Sequence, residues 1–183
     1  MKKIIFIIIL INMFNFSGTV KAKYQKIFFD HKIKSNTGEQ INLSQFKNNV
    51  VLLVNTASYC GFTNQYSDME KLWNKYKDKG LVVLGVPSNS FNQEKKEDTE
   101  IKEFCEVNFN ITFPITTITN VKGDEAHEIY KWASENYGKS AIPKWNFHKI
   151  LINKYGKVEE TYSSFTKPMS KKIISKIDSL LEN

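Results

Sequence analysis

Cysteine is nearly absent: Cys60 and Cys105 are the only two in 183 residues. So few thiols exclude a disulfide-built scaffold, and no Cys-x-x-Cys pair is present to act as a closely spaced dithiol. His31, His127 and His148 are too scattered to suggest a zinc site, so no metal and no cofactor is expected. Four prolines and eight glycines, beside 41% hydrophobic and 25% charged residues, exclude collagen-like, low-complexity and disordered classes. The formal charge is +7, yet no block of five lysines occurs. A nucleic-acid footprint would be a concentrated basic stripe, so the lysines read as solvated surface and nucleic acid is not expected as a partner. Neither repeat nor linker is visible, and the length suits one domain.

Long apolar runs are also lacking. Lys2 and Lys3 precede the run Ile4 to Ile11, and apolar character ends near Phe16. That is short of the ~20 residues needed to cross a bilayer. With Val20 and Ala22 at the end of a more polar stretch, residues 1–22 read as a signal peptide cleaved after Ala22. A domain of residues 23–183 would then be exported, periplasmic or secreted; an uncleaved membrane anchor is the alternative. The segment has no Cys, which excludes a lipoprotein. Cleavage would remove three lysines and no acid, lowering the charge to +4. In an exported protein two cysteines can equally form a structural disulfide, and both readings stand on composition alone.

Downstream, Ile27–Lys34 and Gln40–Leu43 flank the turn-like Asn36-Thr37-Gly38 and predict a β-hairpin. Val50–Val54 and Leu81–Val86 are unbroken apolar runs, the pattern of strands covered on both faces. Between them Tyr66, Met69, Trp73 and Tyr76 recur at helical spacing over 65–79, with Gly80 placed as a cap, making a βαβ unit. A helix over 98–108, capped by Asp98, carries Ile101, Phe104 and Cys105 on one face. A strand over 113–118, a helix over 126–135, strands over 147–152 and 157–162 around Asn153–Gly156, and a final helix striped by Ile173, Ile174, Ile177, Leu180 and Leu181 behind Pro168 complete the chain. This order predicts an α/β fold, a thioredoxin-like three-layer α/β/α sandwich with a mixed central sheet and an N-terminal hairpin.

Cys60 falls just past the carboxyl end of the first central strand, at the start of the helix that follows. Reactive groups in open α/β sheets collect there, and a helix N-terminus favours a thiolate. Cys105, on a helix stripe beside Phe104, reads on its own as a packed core thiol. Likewise Trp145 alone reads as a packed aromatic, Asn146 as a turn residue and Gln93 as a solvated loop side chain.

The segment Asn55-Thr56-Ala57-Ser58-Tyr59-Cys60-Gly61-Phe62-Thr63 resembles the active-site segment of the glutathione peroxidase family. Val86-Pro87-Ser88-Asn89-Ser90-Phe91-Asn92-Gln93-Glu94 resembles that family's second motif and Lys144-Trp145-Asn146-Phe147 its third, so the likeness spans roughly residues 25–182. It implies a catalytic set of Cys60, Gln93, Trp145 and Asn146. In that chemistry a thiolate attacks a peroxide oxygen and becomes a sulfenic acid, while neutral amide and indole donors stabilise the sulfur and the departing oxygen. The helix at Ile101–Cys105 resembles the one that carries the resolving cysteine in thioredoxin-using members, which implies that Cys105 condenses with oxidised Cys60 and that a thioredoxin-like protein, or else glutathione, is the reducing partner and co-substrate. The short stretch from Asn136 to Lys144 implies a monomer and an open site that admits bulky hydroperoxides. One departure stands out: the loop Phe91-Asn92-Gln93-Glu94-Lys95-Lys96 is one residue shorter than the family pattern and lacks its Pro-Gly. A different loop path is therefore expected, with Gln93 the least securely placed of the four residues and Glu94 to Glu100 a charged exposed run. The function expected is a thiol peroxidase acting on hydrogen peroxide and organic or lipid hydroperoxides. The alternative is a redox sensor or relay that passes Cys60 oxidation to a partner thiol, which has no need of peroxide-stabilising Gln, Trp and Asn. A general thiol-disulfide oxidoreductase is disfavoured, because such enzymes normally work with closely spaced cysteines.

Overall fold

The computed structural model describes residues 24–182. The expected signal segment, residues 1–22, lies outside the described residues. A hairpin of β1 (Lys32–Lys34) and β2 (Gln40–Asn42) opens the fold, antiparallel with Ile33 opposite Ile41. Its turn uses Gly38 at φ 87°, a conformation other residues adopt at a cost.

The central sheet has the order β4-β3-β5-β6. β3 (Val50–Thr56) and β4 (Leu81–Pro87) run parallel, joined through helix α1 (Gln65–Tyr76). β5 (Lys149–Ile152) and β6 (Val158–Tyr162) add antiparallel strands on the other side of β3. All seven residues of β3 and of β4 are buried, as unbroken apolar runs require. Strand alternation divides the core. Val50, Leu52 and Val54 pack with Tyr66, Met69, Leu72 and Tyr76 of α1, with Ile101 and Cys105 of α2 (Asp98–Phe109), and with Ile173 and Ile177 of α4 (Lys171–Glu182). Val51 and Leu53 face Phe28, Phe29, Ile33 and helix α3 (Glu128–Tyr137). The result is the three-layer arrangement with a mixed sheet and an N-terminal hairpin.

Several elements depart from the sequence reading. Residues 113–118 form no strand; their β pairing is limited to the isolated bridges Ser35 to Thr116 and Gly85 to Ile115. Pro114 has no N–H to give a ladder, and its carbonyl accepts the Gly85 N–H at 3.0 Å. A Cβ on Gly85 would come within 3.0 Å of the Phe113 ring, so the glycine admits this close approach. Asp98 is the first residue of α2 and not its cap: its carboxylate accepts from Thr117 Oγ1 and from the Ile118 N–H. α1 ends at Tyr76 and continues as a 3-10 turn over Lys77–Lys79, with Leu72 buried where Trp73 is only half-buried. α3 begins at Glu128, because His127 Nδ1 accepts the Ile129 N–H as its cap.

Candidate active site

Cys60 lies five residues before α1, in a run of turns and not at the helix start itself. Only 7% of it is exposed. The turn is tied by Thr63, whose Oγ1 accepts the Cys60 N–H at 3.2 Å and donates to the Cys60 carbonyl at 2.6 Å, while the Thr63 N–H returns to that carbonyl at 3.0 Å. A backbone group addresses the sulfur: the Phe62 N–H points at Cys60 Sγ from 3.5 Å.

The shortened loop does bring Gln93 to this turn. The Tyr59 N–H donates to the Gln93 carbonyl at 2.9 Å, and Gln93 Oε1 accepts from Asn146 Nδ2 at 2.9 Å. Asn92 makes the path feasible by adopting φ 57°, the left-handed conformation that asparagine tolerates better than most residues. Glu94 contradicts the expectation of an exposed charged run. It is buried, and its Oε1 accepts the Ser58 N–H at 3.0 Å and the Lys95 N–H at 2.8 Å, so that it pins the residues just before Cys60. Burial pushes its pKa above the ordinary carboxylate value. Sequence reasoning missed this role because a single Glu in a run of charges carries no periodic signal.

Trp145 and Asn146 precede β5. The Trp145 ring is 42% exposed and rests on Phe91 with centroids 5.3 Å apart, while Asn146 is fully buried. Their backbone is held by groups the sequence did not single out. Asn55 Nδ2 donates to the Trp145 carbonyl at 3.2 Å, and the Asn55 carbonyl accepts the Phe147 N–H at 2.6 Å. Ser164 Oγ donates to the Asn146 carbonyl at 2.6 Å. Phe147 is held at φ 61°, uncommon for a bulky residue, with its ring edge-to-face against Tyr66 at 5.4 Å. Beside Trp145 opens an apolar cavity of about 360 Å³, whose lining includes Ile142, His148, Ser164 and the exposed Phe165. Phe165 in turn meets Phe62, two residues from Cys60, at 5.2 Å.

Gln93 and Asn146 are thus in contact, and Gln93 is bonded to the residue preceding Cys60. Cys105 stands apart on α2. It is 1% exposed, both cysteines are free, and burial pushes its thiol up to about 11 with the Tyr66 hydroxyl beside it. A thiol so held does not ionise near neutrality, so it is inert while α2 stays closed.

Comparison with known proteins agrees with the motifs. The glutathione peroxidase family model matches residues 28–134. Glutathione peroxidase-like peroxiredoxin 2 of Saccharomyces cerevisiae is 44% identical over 158 residues, covering 84% of this chain and 96% of its own. Hydroperoxy fatty acid reductase of Synechocystis is 41% identical over 140 residues, covering 72% and 83%. Among solved structures, the apo crystal structure of Trgpx aligns with a TM-score of 0.69 at 38% identity, covering 87% of this chain and 97% of that one. The chain belongs to the glutathione peroxidase family, and it is a thiol peroxidase that reduces hydroperoxides.

Proposed function

We propose that Cys60 is the peroxide-reacting thiolate, served by Gln93, Trp145 and Asn146, and that Cys105 resolves it. In the first step the Cys60 sulfur attacks the distal oxygen of ROOH and the O–O bond breaks, leaving a Cys60 sulfenic acid while the departing oxygen takes a proton and leaves as ROH. Cys105, once exposed, attacks the sulfenic sulfur and expels water, giving an intramolecular disulfide. A thioredoxin-like dithiol then takes up the disulfide and regenerates both thiols. The observation that carries this reading is the Asn146 Nδ2 to Gln93 Oε1 bond, joining two amides 53 residues apart beside the Cys60 turn. That bond orients both amides and leaves the Gln93 NH2 without a partner among the described residues, free to donate to a developing oxyanion.

Organic and lipid hydroperoxides are the substrates that the exposed Trp145 and the adjoining apolar cavity favour, in keeping with a relative named a hydroperoxy fatty acid reductase. The protein works as an exported monomer with no cofactor besides its thiol reductant. The test is steady-state reduction of hydrogen peroxide and of an organic hydroperoxide, with thioredoxin or glutathione as reductant in parallel. Faster turnover with thioredoxin is expected. Turnover with glutathione alone would replace the resolving step by direct reduction of the sulfenic acid.

A further inference from the structure

A buried chain of hydrogen bonds leads into the site from strand β5. Lys149 sits among Ile150, Leu151 and Ile152, fully buried, opposite Val54 on one neighbouring strand and Tyr162 on the other. Its Nζ donates to Gln65 Oε1 at 2.5 Å. Gln65, the first residue of α1, donates through Nε2 to the Ser164 carbonyl at 2.6 Å. Ser164 Oγ donates to the Asn146 carbonyl at 2.6 Å, and Asn146 Nδ2 reaches Gln93 Oε1. Four consecutive bonds therefore link β5, α1, the loop after β6 and both amides placed beside Cys60.

The choice of lysine here needs a reason. It forms no ion pair with a described residue, and burial lowers its amine from 10.5 to about 7. A buried ammonium without a counter-ion is costly, and an apolar side chain in this strand would be easier to fold. What Lys149 supplies is a donor long enough to hold the Gln65 amide with its NH2 toward Ser164, and the amine donates whether or not it is protonated. The far end of the chain is also where the backbone is least able to hold itself. The peptide between Asn146 and Phe147 leads into a left-handed phenylalanine, and it is gripped at both of its polar groups: the carbonyl by Ser164 Oγ and the N–H by the Asn55 carbonyl at 2.6 Å. If Ser164 shifts, the strained residue can relax and carry the Asn146 amide away from Gln93.

We propose that Lys149 is a positioning residue of the peroxidase reaction, fixing Gln65 and Ser164 so that the Asn146 amide is held in place for peroxide reduction. It touches no reacting atom. The proposal rests on the reading of Asn146 as the amide that orients Gln93 for peroxide reduction, and the test keeps the two apart.

The experiment uses the full reduced chain and measures three quantities for wild type, Lys149→Met, Ser164→Ala and the double variant. These are the single-turnover rate of Cys60 oxidation by hydrogen peroxide, the rate of the ensuing Cys60–Cys105 disulfide formation, and the thermal midpoint. Lys149→Met is expected to slow oxidation by about tenfold to a hundredfold, the scale of a mispositioned catalytic group. Its midpoint should be equal to wild type or higher, and disulfide formation should be unchanged. Ser164→Ala should slow the same step. The double variant should be no slower than the slower single one, since both act through one chain. Oxidation within twofold of wild type, a lowered midpoint with both chemical steps slowed alike, or additive effects in the double variant would each overturn the proposal. Should Lys149→Met not fold, Ser164→Ala decides alone: oxidation slowed at an unchanged midpoint supports the chain, and an unchanged rate overturns it. A wild-type Cys60 that reacts no faster than a free thiol would overturn the functional reading and the proposal together, whereas a fast wild type with unaffected variants overturns only the proposal.

Discussion

Helices α1 and α2 have twelve residues each, yet they are held very differently. α1 buries Gln65, Tyr66, Met69, Glu70, Leu72 and Tyr76, whereas α2 buries only Ile101 and Cys105 and leaves Val107 76% exposed. Neither helix has a side-chain cap at its start; the first residue of α2, Asp98, is tied to Thr117 and Ile118. An isolated helix of this length is marginal in water, so α2 depends on its few tertiary anchors. The contrast fits a division of labour. In the proposed reaction the turn beside α1 presents Cys60 in one fixed setting, while α2 has to release the buried Cys105 when a sulfenic acid forms. Elements that open are drawn from the weakly packed end of a structure.

The sharpest way to break this comparison is at Cys60. Cys60→Ser should lower peroxide reduction at least about a thousandfold, as loss of a nucleophile does, with the fold intact by circular dichroism. More than trace turnover would move the chemistry elsewhere. Next in size is Cys105→Ser, which should consume one equivalent of peroxide and then stop, losing turnover with a thioredoxin-like reductant. Mass spectrometry of peroxide-treated wild type should show the Cys60–Cys105 link; its absence, or normal cycling by the variant, would remove any need for α2 to open.

Smaller effects sharpen the picture on the α1 side. Trp145→Ala and Asn146→Ala should each slow Cys60 oxidation by about ten- to a thousandfold, the range for losing a preorganised donor. The short loop by itself suggested a lesser part for Gln93, but its bond to Asn146 predicts that Gln93→Ala matches Asn146→Ala in stopped-flow oxidation.

The smallest effect concerns pH and α2. The Cys105 thiol ionises near 9 when exposed and near 11 when buried. Its folded value is raised, so the stability it lends the closed helix is complete below about pH 9 and is lost as pH rises through about 11. Alkylation of Cys105 in the Cys60→Ser variant should therefore accelerate between pH 9 and 11 by more than the growth of thiolate in a free thiol explains. Lys95 bears on the same opening. Its Nζ lies 3.1 Å from the Tyr59 hydroxyl and sits over the rings of Tyr59 and Phe104, the residues just before Cys60 and Cys105. Lys95→Ala should raise hydrogen exchange in α2 by a factor of a few, since an exposed contact of this kind is weak.

The sequence by itself determined the layers. Unbroken apolar runs at 50–54 and 81–86 have the pattern of strands covered on both faces, and the helical stripes at 66–76 and 173–181 supply the covers. Through three segments that resemble motifs of the glutathione peroxidase family it also pointed to Cys60, Gln93, Trp145 and Asn146 as the candidate site residues. The tertiary structure alone decided what holds those residues. Asn55, Glu94, Gln65, Ser164 and Lys149 act through hydrogen bonds spanning as many as 99 residues, and a polar residue bonded at long range leaves no periodic trace in the chain. The missing strand at 113–118 has the same origin. Its β-branched residues have the propensity, but Pro114 withholds a donor and a close approach at Gly85 leaves the segment only isolated bridges. Local pattern fixes which face of an element is buried; the partner of a buried polar group is chosen only when distant segments meet.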